Sequence, residues 1–226
     1  MDQDPASAYR PVPYRPPRVE PDETVARLQR DYEVMSQRRS VRRFSTDPVP
    51  AEAIEHAIRI AGTAPSGAHR QPWYFVAISD PVAKRQMREA AEREERAFYE
   101  TRVTPDWREA LAPLGTDFVK THITDAPWVI VVFRRDFEEL EDGRRLKGYY
   151  LNESVGIAVG MLIGALHRAG LASLTHTPAP MTFLRELCGR PANEKPFVIL
   201  PVGYPHPDCE VPDLARKSLA EIAELR

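Results

Sequence analysis

Cysteine is nearly absent from this 226-residue chain: Cys188 and Cys209 are the only two. They form no C-x-x-C pair and no disulfide framework, which fits a reducing compartment and offers no recognisable metal site. An excess of either charge is missing too. The 31 basic and 33 acidic residues leave a net charge of −2, so no overall field favours nucleic acid or a membrane surface as a partner. Long hydrophobic runs are also lacking. The most apolar stretch, "SVGIAVGMLIGAL", is flanked by Glu153 and His167 and falls short of the roughly 20 residues of a membrane span. The start, "MDQDPASAYR", is acidic and has no apolar core of the kind a signal peptide needs. The expectation is a cytoplasmic protein, long enough for one domain with a substantial core.

Proline, by contrast, is plentiful at the start. Residues 1–22 hold six prolines (5, 11, 13, 16, 17 and 21) among tyrosines and arginines, and such a segment reads as an extended arm that cannot be helix. From Glu23, Val25, Leu28, Tyr32 and Met35 recur at helical spacing behind a candidate cap at Asp22. A second helix begins near Pro50. "WYFVAIS" (Trp73 to Ser79) and "WVIVVF" (Trp128 to Phe133) are continuous apolar runs and predict strands covered on both faces. Between them lie a long charged helix over about 82–102 and a second helical stretch ending near Lys120. The segment "RRDFEELEDGRRLKG" reads as a polar loop, and Tyr149 to Arg168 as a long apolar helix closed by Gly170. That helix carries Gly156, Gly160 and Gly164, whose spacing predicts a bare face open to close approach at the centre of a subunit interface. Strand "LASLT", loop "HTPAP", helix "FLRELCG" and strand "FVILPVG" follow. Ser218 and Glu221 make a capping box for a last short helix. Strands separated by helices point to an α/β or α+β sandwich.

Four stretches could carry chemistry, and each has two readings. "RRSVRRF" gathers Arg38, Arg39, Arg42 and Arg43 around Ser40; it is either a solvated basic patch or a set of guanidinium forks for a phosphate. "APSGA" is either a turn or a loop whose amides face a planar ligand. "HTP" at His176 follows a buried strand, where α/β proteins place site residues, or is a simple strand-ending turn. No carboxylate sits at a telling spacing from His176, which argues against a general base. Glu95 and Tyr99 share a helix face, being four residues apart, in a run that also reads as a plain water-facing helix.

Together, "RRSVRRFS", "AGTAPSGAHRQPW", "TDAPWVIVVF", "THTP", "GRPANEKP", "LPVGYP" and "VPDLARKSL" resemble, in order and interval, the iodotyrosine deiodinases of the nitroreductase-like flavoproteins, from about residue 23 to the end. The resemblance implies an α+β nitroreductase fold, a mostly antiparallel sheet flanked by helices in an intertwined homodimer with FMN at the interface. The arm would cover 1–22 and a single FMN domain 23–226, with a helical lid over about 90–122. By the same resemblance, Arg38, Arg39, Ser40, Arg42 and Arg216 would hold the flavin phosphate and ring edge. Pro65, Ser66 and Gly67 would lie against the ring, with Thr175, His176 and Thr177 on its other side. Thr177 would bond the flavin N5 and favour one-electron steps. Ala68 would offer its N–H to a substrate phenolate, while Glu95, Tyr99 and Lys120 would grip the ammonium and carboxylate of a halogenated tyrosine.

The function so implied is FMN-dependent reductive dehalogenation of 3-halotyrosines or another halophenol, with NADPH or a reductase as electron donor. Two alternatives are a broad NAD(P)H-dependent nitroreductase or quinone reductase, and a flavin- or tyrosine-derivative-binding module without turnover. The chain departs from the deiodinases it resembles in having a proline-rich arm where the animal enzymes carry a membrane anchor, and more proline between Tyr99 and Lys120.

Overall fold

A computed structural model describes residues 10–226; Pro5 and Tyr9 of the arm lie outside them. The chain divides into two compact units, up to Gln37 and from Arg38 onward. In the first, residues 10–20 take no regular structure and helix α1 (Pro21–Ser36) follows. It starts two residues ahead of the predicted Glu23, because Pro21 occupies the first helical position, where a missing N–H leaves no partner wanting. The cap position is Glu20 rather than Asp22. Asp22 and Glu23 sit instead in the first turn, where carboxylates meet the positive end of the helix dipole.

The second unit is built on a four-stranded antiparallel sheet in the order β1 (Trp73–Ile78), β2 (Trp128–Arg135), β6 (Glu194–Gly203), β5 (Ala172–Ser173). Side chains alternate across β2, as the pleat requires. Ile130 and Val132 face α2 (Ala51–Ala61) and α6 (Leu151–Arg168), in one core with Ile54, Ala158, Leu162 and Leu200. Val129, Val131 and Phe133 face the opposite layer, meeting Met87 of α3 (Pro81–Ala97), Ile123 of α5 (His122–Asp125) and Leu184 of α7 (Phe183–Leu187). The result is the expected α+β arrangement of helices on both faces of an antiparallel sheet.

Covering on both faces holds for β2 but not for β1, which is an edge strand with Tyr74 exposed. Its apolar run is continuous for a local reason: the Arg190 guanidinium lies 3.7 Å from the Tyr74 ring centroid. Arg190 is in turn held at 2.6 Å by the buried Glu194 carboxylate. The predicted polar loop contains a hairpin, β3 (Phe137–Glu139) paired with β4 (Arg145–Lys147), too short and too charged to show a period. Strand "LASLT" shrinks to the two residues of β5. The charged helix α3 stops at Ala97 and widens into a π turn, Phe98–Arg102, before α4 (Pro105–Leu111). Pro105 opens α4 behind the Thr104 cap, and Pro113 sits in the 3₁₀ turn that follows, so the prolines of this segment punctuate helix starts. A last helix, α8 (Leu219–Ile222), has the predicted Ser218–Glu221 capping box.

The three glycines of α6 do not share one environment. Gly164 is buried, whereas Gly156 and Gly160 are exposed together with Ile157, and a Cβ on either would meet nothing within 4 Å. No helix among the described residues is long and apolar enough to cross a membrane.

Candidate functional site

Two cavities of the second unit, of about 360 and 200 Å³, share Arg42, Leu114, Leu174 and Thr175 and so form one continuous cleft. Its wider end is basic. Arg38, Arg39, Ser40 and Arg216 line it, together with Pro212, Leu214 and Ala215. The arginine segment is anchored by backbone pairing: Ser40 bridges Ser173, and Phe44 bridges Pro205. Side chains then tie it to the C-terminal stretch, Arg39 donating to the Pro212 carbonyl and Arg216 to that of Arg38. Burial lowers the proton affinity of the Arg38 guanidinium, and the charges of Arg216 and Arg39 lower it further. Cations crowded in this way are what an anion would relieve.

The other end is lined by Glu95, Tyr99, Lys120, His176 and Thr177, together with the aromatic side chains of Phe98 and Trp107. The Phe98 ring meets Tyr99 and Trp107 edge-on at centroid distances of 5.3 and 4.7 Å. His176 is fixed by two hydrogen bonds of 2.9 Å between its own backbone and that of Ile199. Its neighbours therefore alternate like a strand: His176 points inward and is buried, while Thr175 and Thr177 are exposed towards the cleft.

Glu95 is the hub of the polar contacts. Its Oε2 lies 3.3 Å from Lys120 Nζ, and its Oε1 lies 3.3 Å from His176 Nε2. Only 4% of the Lys120 side chain and 14% of the Glu95 side chain are exposed, so the pair is much less screened than a surface ion pair. Burial pushes the Glu95 carboxyl up, but the His176 hydrogen bond and the Lys120 charge outweigh it and hold it below the ordinary carboxylate range. The Lys120 ammonium also donates to the Asp117 carbonyl, and its backbone N–H to Glu92 Oε1 at 2.8 Å. Tyr99 donates to the Thr116 carbonyl at 3.2 Å. Burial and the Glu95 and Asp117 carboxylates raise its phenol despite that bond.

Pro65, Ser66, Gly67 and Ala68 are not brought to this cleft; none of the four lines either cavity. Their loop packs on the start of α6. Gly67 donates its N–H to Ser154 Oγ at 3.3 Å, and a Cβ at Gly67 would lie 2.6 Å from the Tyr149 carbonyl oxygen. Glycine is needed there for that backbone contact. Ala68 and His69 have φ of 50° and 54°, left-handed values uncommon outside glycine and typical of functional loops. Ser66 Oγ and the Ser66 carbonyl accept the Gln71 and His69 N–H groups, while the Ala68 N–H has no acceptor among the described residues.

A family model described as "Nitroreductase family" matches residues 35–204. The chain belongs to the nitroreductase family. Among curated relatives of this nitroreductase-family chain, the iodotyrosine deiodinase of Haliscomenobacter hydrossis is 49% identical over 211 residues, covering 93% of this chain and 95% of that protein. The iodotyrosine deiodinase of Hydra vulgaris is 44% identical over 212 residues, 93% of this chain and 78% of that one. Among solved structures, an oxidised iodotyrosine deiodinase bound to FMN and 3-iodo-L-tyrosine superposes with a TM-score of 0.74 at 31% identity, covering 86% of this chain and all of that one. A nitroreductase with bound FMN from Bacteroides fragilis shares the fold, at a TM-score of 0.64, 21% identity and coverage of 87% and 98%.

Several cleft residues carried no separate signal in the sequence. Phe98, Trp107, Leu111 and Leu114 read as ordinary apolar residues of a charged segment, although Trp107 beside proline and acidic neighbours was a clue. His122, buried at the start of α5, gave none. For His176 the sequence offered no partner carboxylate; folding supplies Glu95, 81 positions away.

Proposed function

We propose that this chain is an FMN-dependent reductive dehalogenase of 3-halotyrosines, 3-iodotyrosine first. One observation carries the reading beyond kinship: a largely buried carboxylate and a buried ammonium, Glu95 and Lys120, stand 3.3 Å apart in a cleft lined by Phe98, Tyr99 and Trp107. A free amino acid carries the complementary pair of charges. Its ammonium fits Glu95 and its carboxylate Lys120, while Tyr99 hydrogen-bonds between them. A plain nitroaromatic or quinone carries neither charge.

The residues present fit FMN. Arg38, Arg39 and Arg216 line the basic end together, close enough for the charges of Arg216 and Arg39 to be felt at Arg38, and Ser40 adds a hydroxyl. Arg42 and Thr175 lie where the two cavities join, on the way from that end to the substrate end. Thr177 would present its hydroxyl to the ring nitrogen, and His176 and Thr175 complete that wall. Held there by Arg38, Arg39, Ser40, Arg42 and Arg216, FMN in its reduced form would supply the two electrons that, with one proton, exchange the carbon–iodine bond for a carbon–hydrogen bond and free iodide. The chain's own part is to bind and orient. Glu95, Tyr99 and Lys120 hold the amino-acid end, and the segment 90–122, acting as a lid with Phe98 and Trp107, keeps water from the ring. A phenolate is held by the Ala68 N–H, a donor placed in advance by the strained backbone of its loop.

That last role requires a second copy. Pro65, Ser66, Gly67 and Ala68 lie apart from the cleft of their own chain, and the face of α6 around Gly156, Ile157 and Gly160 is open. A homodimer apposing these faces would carry each loop to the other protomer's flavin. NADPH or a separate reductase would supply the electrons, in the cytoplasm. Anaerobic mixing of the reduced, FMN-loaded protein with 3-iodotyrosine tests the reading. Iodide release with stoichiometric reoxidation of the flavin is expected; a flavin that stays reduced would sink it.

A further inference from the structure

In the wall of the substrate end of the cleft, two buried histidines continue the Glu95 contacts. His122 Nε2 lies 3.4 Å from His176 Nδ1, and the two rings meet edge-on at 81°. His176 Nε2 faces Glu95 Oε1 at 3.3 Å. We propose that His122 and His176 form a directional hydrogen-bond chain that positions the Glu95 carboxylate and so makes the cleft select free amino acids over plain halophenols. The proposal rests on the dehalogenase reading above.

The donor order follows from chemistry. An ionised carboxylate only accepts, so His176 Nε2 must carry the proton that reaches Glu95. A neutral imidazole then has a lone pair on Nδ1, and the hydrogen facing it must come from His122 Nε2. Both rings are kept neutral. Burial, with the charges of His176, Lys120, Arg42 and Arg88 in that order, pushes His122 down to about 3. Burial also pushes His176 down, against the pull of Glu95 and with the help of Lys120 and Arg42. The backbone of His176 is locked to β6 on both sides, so the chain has a fixed origin.

Substrate binding makes that fixity matter. In the empty site Lys120 and His176 each hold one Glu95 oxygen. An amino acid entering between Glu95 and Lys120 draws Lys120 to its own carboxylate and places its ammonium at Oε2. The bond from His176 is then the protein contact that remains on Glu95. A phenol without the amino-acid end leaves the Glu95–Lys120 pair undisturbed and has no use for it. His176 is therefore a positioning residue, acting through Glu95, and His122 acts through His176 by fixing which nitrogen carries the proton.

The test uses the FMN-loaded protein and titrates the flavin absorbance with 3-iodotyrosine and, separately, with 2-iodophenol. Wild type is expected to favour the amino acid. His176→Ala should cut the affinity ratio by about tenfold or more, the usual scale of one lost hydrogen bond to a charged group. His176→Gln, whose amide nitrogen reaches where Nε2 stood, should restore most of the ratio. His122→Phe should lower the ratio in the wild-type background but not in His176→Gln, whose amide needs no tautomer fixed. A wild-type ratio in any His176→Ala protein that retains FMN overturns the proposal, as does failure of His122→Phe to change it if His176→Ala does not load. If wild type shows no preference for the amino acid, the dehalogenase reading itself has failed, an outcome separate from the first two.

Discussion

Glu95, Tyr99 and Lys120 were separable on paper only in part. Positions 95 and 99 share a helix face by spacing alone, but nothing local joins them to Lys120, which the fold brings within 3.3 Å of Glu95. Replacing Glu95 with Gln or Lys120 with Met removes one charged contact to a zwitterion and should weaken 3-iodotyrosine binding by roughly 1.5–3 kcal/mol. Equilibrium titration of the FMN protein measures it, and loss of affinity for simple nitroaromatics of the same size would contradict the assignment. Gly67 teaches a different lesson at this scale. Its place in the loop follows from packing within the chain: the Tyr149 carbonyl occupies the space a Cβ would need.

Among the elements, α6 joins sequence period to the proposed assembly most directly. Its inner face, Val155, Ala158, Leu162 and Leu166, is buried in the core against the sheet and α2, while Gly156 and Gly160 leave the outer face bare. A Cβ at Gly160 would meet nothing within 4 Å, and replacing the glycine removes a poor helix former, worth about 1 kcal/mol in an exposed helix interior. Gly160→Leu should therefore fold, yet sediment as a monomer and lose FMN, because the Pro65–Ala68 loop could no longer reach a second protomer. Analytical ultracentrifugation with a flavin absorbance ratio checks both halves; a dimer retaining full FMN would rule out this face. The long helices were legible because each spans enough residues to show a period, and the central strands because each is a continuous apolar run. The β3–β4 hairpin, three residues a side, was not.

For the whole molecule, the buried histidines tie stability to pH. His122 is neutral in the fold down to about 3, while an unfolded imidazole takes up a proton below about 6.5. The unfolded state thus binds more protons in between, so stability is complete above pH 6.5 and falls as the pH drops, by up to about 1.4 kcal/mol per unit. His176, whose proton affinity burial also lowers, adds in the same direction. Glu95, held below its ordinary value, has the same sign but acts only near the carboxylate range. Denaturant melts at pH 7 and pH 5 should therefore show a loss that shrinks in His122→Phe; an unchanged slope would mean that His122 titrates normally in the fold.

The residues by themselves narrowed the class to an α/β or α+β sandwich and determined the order of the main helices and strands, the arginine cluster and the motifs shared with the deiodinases. Each of these is set by period, composition or spacing within a short window, where neighbours along the chain are neighbours in space. Folding alone decided which distant groups meet. It set Glu95 between Lys120 and His176, put His122 beside His176, and kept the Pro65–Ala68 loop away from its own cleft. Those outcomes depend on how helices dock on a sheet, through contacts between residues far apart in the chain.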